Sequence, residues 1–135
     1  MSIERIESEG ELLAVVIRKE YVPEHVDFLT SEQEGLQLGF HQRKQGERVR
    51  AHHSIPFQNV SHLPANKIYL LQKGMATVDI YNQESQPVTT VSLQVGDTII
   101  FITGAHGVTF TEDSQMMEIK QGPYRQRDQE KRFIE

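Results

Sequence analysis

The chain has 135 residues, 37% of them hydrophobic and 24% charged, which suffices for one domain with its own core. Its formal charge of −5 argues against a general nucleic-acid binder. The absence of cysteine excludes disulfides, thiolate metal sites and a cysteine nucleophile.

Residues 1–10 are polar and are expected to be loosely held. They lack the basic and then apolar sequence of a secretory leader, and the apolar runs of the chain are far too short to span a membrane. A cytoplasmic protein with neither a nucleic-acid nor a membrane partner is therefore expected. Leu12 to Ile17 is a β-rich apolar run and predicts a first strand. Tyr21 to Glu34, with Pro23 and scattered acids, fits a loop with one helical turn. Leu36 to Gln42 and Glu47 to Ser54 are predicted as strands on either side of a Lys44-Gln45-Gly46 turn. Residues 55–66, with Pro56, Asn59, Pro64 and Asn66, form a long loop of the kind that often lines a site.

From Ile68 the β signal is steady. Ile68 to Gln72 is one strand, Lys73-Gly74 a turn, and Met75 to Tyr81 alternates between Ala76, Val78, Ile80 and Thr77, Asp79, Tyr81. Asn82 to Pro87 is a hairpin loop. Val91, Leu93 and Val95 alternate again, Gly96-Asp97 turns, and Ile99 to Ile102 is a continuous apolar strand. Val108 to Phe110 and Met116 to Ile119 are the last two strands. Residues 126–135 are a charged tail with Phe133 and Ile134 as a docking anchor. Short strands at hairpin spacing predict an all-β sandwich or closed barrel, with Val78, Ile80, Leu93, Ile100, Ile102 and Val108 in its core.

Two stretches carry a resemblance. Gly46 is followed after five residues by His52, with Ser54 two further on and Lys67 seven residues before Gly74. Later, Gly96, Ile102, Gly104 and His106 follow one another at short intervals. This order is similar to the two half-motifs of the cupins, G-x5-H-x-H-x3,4-E-x6-G and G-x5-P-x-G-x2-H. Ser54 stands where the second histidine would be and Lys67 where the glutamate would be. The interval from His52 to Lys67 is longer than the motif's, His106 comes one residue early, and the proline is absent. Gly104-Ala105-His106-Gly107 and the segment from Met116 to Tyr124 resemble a group of small stand-alone bacterial cupins. The resemblance spans residues 36–121 and implies one cupin domain over 1–135, a double-stranded β-helix or jelly-roll barrel, and pairing as a homodimer. The strand at Leu12 to Ile17 would extend a partner's sheet.

In the cupin pattern three histidines and a glutamate hold a divalent metal. Carried over here, the resemblance implies His52 and His106 as ligands of Fe, Ni, Zn or Mn, with His41, His62 or Glu118 as further donors. Two imidazoles with an ammonium at the glutamate position make a weak set, so histidines serving as hydrogen-bond donors are favoured over a tightly held metal. His52, His106 and Tyr124 are the catalytic candidates, with Tyr69 and Tyr81 also at hand for a histidine–tyrosine couple. The function expected is small-molecule binding. The alternatives are a metal-independent sugar-nucleotide isomerase or epimerase, a metal-dependent enzyme such as a dioxygenase, and a purely structural dimerisation domain. Strand alternation puts Arg48, Arg50 and Ser54 on the face of His52. Together with Lys67 they predict a pocket for an anion, namely a carboxylate, a sugar phosphate or a nucleotide sugar.

Overall fold

The computed structural model describes residues 2–58 and 61–135. It is all-β: among the described residues there are ten strands, all paired antiparallel, and one four-residue helix, α1 (Arg127–Glu130). A five-stranded sheet has the order β1 (Ile3–Ser8), β2 (Glu11–Ile17), β8 (Thr98–Phe101), β5 (Lys67–Lys73) and β10 (Gln115–Lys120). A three-stranded sheet has the order β7 (Pro87–Leu93), β6 (Ala76–Tyr81) and β9 (Ala105–Phe110). The small hairpin of β3 (Val26–Phe28) and β4 (Gly39–His41) completes the set. None of the sheets closes into a barrel among the described residues.

The continuous apolar runs at β2 and β8 follow from their place in the five-stranded sheet. Both are central strands covered on two faces, so each parity of side chain finds a core. Inward, Ala14, Val16, Ile99 and Phe101 meet Tyr69 and Leu71 of β5 and Val78, Ile80 and Leu93 of the smaller sheet. Outward, Val15, Ile17, Ile68 and Ile100 are roofed by Tyr21, Leu29, Leu36, Leu38 and Phe40 from the segment around β3 and β4. Of the expected core, Val78, Ile80, Leu93 and Ile100 are buried, whereas Ile102 and Val108 are partly buried against the outer and inner clusters.

Four local expectations are corrected. Residues 3–8 are not loose but form β1, which folds back on β2 through Glu9 and Gly10, both at positive φ. Ile6 is drawn into the inner core and Ile3 packs on the outer one, which anchors a strand otherwise made of charged residues and Ser8. The loop expected from Tyr21 holds the short strand β3 instead of a helical turn. β2 lies between β1 and β8, so it has no free edge with which to extend a partner's sheet. The strand expected at Glu47 to Ser54 is absent: residues 42–58 carry no regular structure and are exposed. Val49 is the only large apolar residue between Glu47 and Ser54, so pairing that segment would bury almost nothing. Asn59 lies outside the described residues.

Two buried polar residues fix the connections around the site. Asn66, just ahead of β5, accepts the Leu36 N–H and donates through its amide nitrogen to Glu34 and to the Phe101 carbonyl. Asp97, at the turn between β7 and β8, accepts from Arg18 and from the N–H groups of Lys19 and Gln94. The turn expected at Gly96-Asp97 is therefore also an anchor for β2.

Candidate functional site

Beside the inner core a cavity of about 520 Å³ is lined by β5, β6, β8, β9, β10 and the C-terminal tail. Its floor follows from strand alternation. Lys67 and Tyr69 are two apart on β5 and face the same side, and Phe101 and His106 close the set from β8 and β9. The His106 ring stacks on Phe101 with centroids 3.8 Å apart and planes 9° from parallel. It meets Tyr69 edge-on at 5.8 Å, and Tyr69 meets Phe101 edge-on at 5.4 Å. His106 pairs with Ile80 across the ladder and so points inward, while Gly107 and Thr109, which also line the cavity, have the opposite parity. The cavity therefore runs along the β9 edge, which is unpaired on its outer side among the described residues.

Gly104 is required at the rim. It adopts φ +80°, and a Cβ there would lie 2.2 Å from the Tyr81 carbonyl oxygen, so another residue would push the turn into β9 away from β6. That turn sets the height at which His106 enters the cavity.

The electrostatics are set by burial in the presence of cations. Burial pushes His106 down to about 4, and Lys67 and Lys131 add to the effect, so the imidazole is neutral at pH 7. Tyr69 is pushed up to about 12, by burial first and then by the charge of Glu118, its partner across the β5–β10 ladder, and stays protonated. Lys67 is lowered mainly by burial; Glu118 opposes the shift, Lys131 and Lys120 add to it, and Glu130 opposes it. Five cationic residues line the cavity (Lys67, Lys120, Arg125, Lys131, Arg132) against three acids (Asp79, Glu130, Glu135), a positive balance inside a chain of net charge −5. Asp79 accepts from the Thr90 hydroxyl at 2.6 Å, and Glu130 is held by Lys120 at 3.0 Å. Gln121, also in the lining, has a buried side-chain oxygen without a hydrogen-bond partner among the described residues.

Of the residues singled out in the sequence, Lys67 and His106 come together in the cavity. His52 does not join them. It is exposed, and its Nδ1 lies 2.6 Å from the carbonyl oxygen of Arg50. Arg48, Arg50 and Ser54 are exposed on the same irregular segment and line none of the cavity, because no strand forms there to aim them inward. His41 is exposed on β4, its Nδ1 facing the Arg43 guanidinium at 3.1 Å, and His62 is exposed at positive φ. Glu118 is exposed on β10, across from Tyr69. Tyr124 is exposed with its ring centroid 5.6 Å from Lys120 Nζ. Phe133 and Ile134 line the cavity and stay largely open to solvent.

These residues do not fit the divalent metal that the cupin pattern implies. Among the described residues no three of His, Asp and Glu converge. His106 has Phe101 on one face and the charges of Lys67 and Lys131 nearby, surroundings that oppose a cation. Among the contributors to the cavity that were missed in the sequence are Lys120 and Glu130. Lys120 pairs with Lys67 in the β5–β10 ladder, so the alternation Met116, Glu118, Lys120 carries a signal for it. Glu130 has none, being brought in by the tail. No family model matches the chain, and no curated protein or solved structure does.

Proposed function

We propose that this chain is a small-molecule-binding protein of the cupin kind, a jelly-roll barrel in fold, whose cavity takes an anionic ligand beside Lys67 and His106. The antiparallel pairing throughout, the two facing sheets and the Gly96-Asp97 turn into β8 support the fold. Lys67 carries the ligand class. Its ammonium is half-buried, lines the cavity, and has no acid within salt-bridge reach among the described residues. A charge taken out of water without a partner is costly, and a neutral His106 supplies hydrogen bonds but no countercharge. A carboxylate, a sugar phosphate or a nucleotide sugar supplies both, through charge-assisted hydrogen bonds.

A thermal-shift screen of small carboxylates, sugar phosphates and nucleotide sugars against neutral analogues tests this, on the parent and on Lys67→Met. A ligand at a hundredfold excess over its Kd stabilises by about 2.7 kcal/mol. Acids are expected to stabilise the parent, neutral analogues to leave it unchanged, and Lys67→Met to lose the response. Equal responses to acids and neutral analogues, or an undiminished response in Lys67→Met, would overturn the reading. A metal-independent sugar-nucleotide isomerase or epimerase comes second, favoured by the edge-on contact of His106 with a protonated Tyr69. It ranks lower because an imidazole near 4 is a weak base at neutral pH. Turnover of a sugar-nucleotide panel separates an enzyme from saturable binding alone.

A further inference from the structure

The tail that closes the cavity carries its own anion. Glu130 ends α1 within the lining, and its side chain is only 8% exposed although most of the tail is open. Its two oxygens are held separately: Oε2 accepts from Lys120 Nζ at 3.0 Å, and Oε1 accepts from the Arg125 backbone N–H at 3.2 Å. Those contacts hold the carboxyl below the ordinary range, the Lys120 hydrogen bond first. Lys120 projects from the end of β10 beside Lys67, its ladder partner. The anchor for Glu130 thus lies next to a cation that has the Tyr69 ring at 5.8 Å but no acid within salt-bridge reach among the described residues.

We propose that Lys120 Nζ and the Arg125 N–H form a carboxylate subsite of the cavity, occupied by Glu130 of the chain's own tail until a ligand acid displaces it. The inference rests on the anion-binding reading and narrows its ligand to a carboxylic acid with an apolar, ring-bearing body. Two donors, one to each oxygen, match a planar carboxylate, and inorganic phosphate has no apolar body to set against the aromatic lining. The body is set by the aromatic lining: Tyr69, Tyr81, Phe101 and Phe133 line the same cavity as Lys120, and Tyr124 flanks its ammonium. Because the competing carboxylate is tethered, it acts at a high effective concentration and lowers the apparent affinity for a free acid. Displacement of Glu130 also undocks residues 130–135, so ligand entry and tail release are one event.

Titration calorimetry with benzoate, benzyl alcohol and inorganic phosphate tests this on the full-length parent, Glu130→Gln, Glu130→Ala and Lys120→Met, alongside tryptic cleavage at Lys131 and Arg132. Benzoate is expected to bind both Glu130 variants about tenfold more tightly than the parent, and Lys120→Met weakly. Benzyl alcohol should not bind, phosphate should bind less well than benzoate, and saturating benzoate should hasten cleavage of the parent's tail. If benzoate or phosphate binds the parent and the Glu130 variants alike, or if the tail stays protected while benzoate binds, the subsite is wrong and anion binding stands. If none of these anions, nor any acid of the wider screen, binds any variant, anion binding itself falls and the subsite with it.

Discussion

His106 is a histidine that the fold keeps uncharged. Its ordinary value is 6.5 and burial takes it to about 4. Between these values the unfolded chain takes up a proton at this residue and the folded chain does not. The stability gained from burying the neutral ring is complete above pH 6.5 and is lost as pH falls toward 4. One proton sets a slope of at most about 1.4 kcal/mol per pH unit. Urea denaturation of the parent and of His106→Phe at pH 7.0 and pH 5.0 measures it. The parent is expected to lose more stability than the variant across that interval, and equal losses would place the imidazole in water. His106 and Lys67 were legible through the positions they take in the cupin-like half-motifs. The strands expected beside them, Ile68 to Gln72 and Val108 to Phe110, stopped short of both, and only β5 and β9 as formed include them. His52 was not placed by the same logic, since alternation aims a side chain only where a strand exists.

At the scale of elements, strands survived from sequence to structure wherever their apolar residues found a covered face. β2, β5, β6 and β8 did so, and β1 formed from two isoleucines that look sparse until one is seen in each core. The stretch from Glu47 to Ser54 had a turn before it and β-compatible residues but no face to bury, and it stays irregular. The turn between β7 and β8 depends on one acid. Asp97 is buried, pairs with Arg18 at 2.8 Å and accepts from two backbone N–H groups, while Arg18 also holds Glu4 of β1 and the Ser92 carbonyl of β7. Asp97→Ala removes one acceptor from Arg18, which keeps Glu4 and the Ser92 carbonyl, and leaves the Lys19 and Gln94 N–H groups without theirs. Losses of this type cost about 3 kcal/mol. Chemical denaturation should find Asp97→Ala destabilised by about that amount, and Asp97→Asn by less because the amide oxygen keeps one acceptor. A loss in Asp97→Ala within experimental error of zero would mean that the turn is held by its backbone alone.

At the scale of the whole molecule, the apolar surface left open suggests how two copies would meet. β10 is an edge strand, and Met117 and Ile119 stand 42% and 47% exposed on it. They have the parity opposite to Glu118, which faces Tyr69, so both lie on the outer side of the five-stranded sheet, across from Leu70 and Ile68. The outer roof of the β3–β4 segment covers Ile68 but leaves these two open. An unpaired edge with apolar side chains on one side is an exposed template for another strand. A twofold arrangement joins it to itself, because antiparallel pairing of β10 with its own copy satisfies both edges at once and brings the Met117 and Ile119 pairs together. The earlier expectation that β2 makes the contact fails on position, whereas β10 has both the free edge and the apolar face. Light scattering at micromolar concentration is therefore expected to give twice the 15.5 kDa chain mass. Met117→Lys with Ile119→Lys should return it to one chain, since two ammonium groups per copy would then face each other across the joint. A parent that runs at 15.5 kDa, or a doubly substituted variant that stays paired, would rule out the β10 edge as the joint.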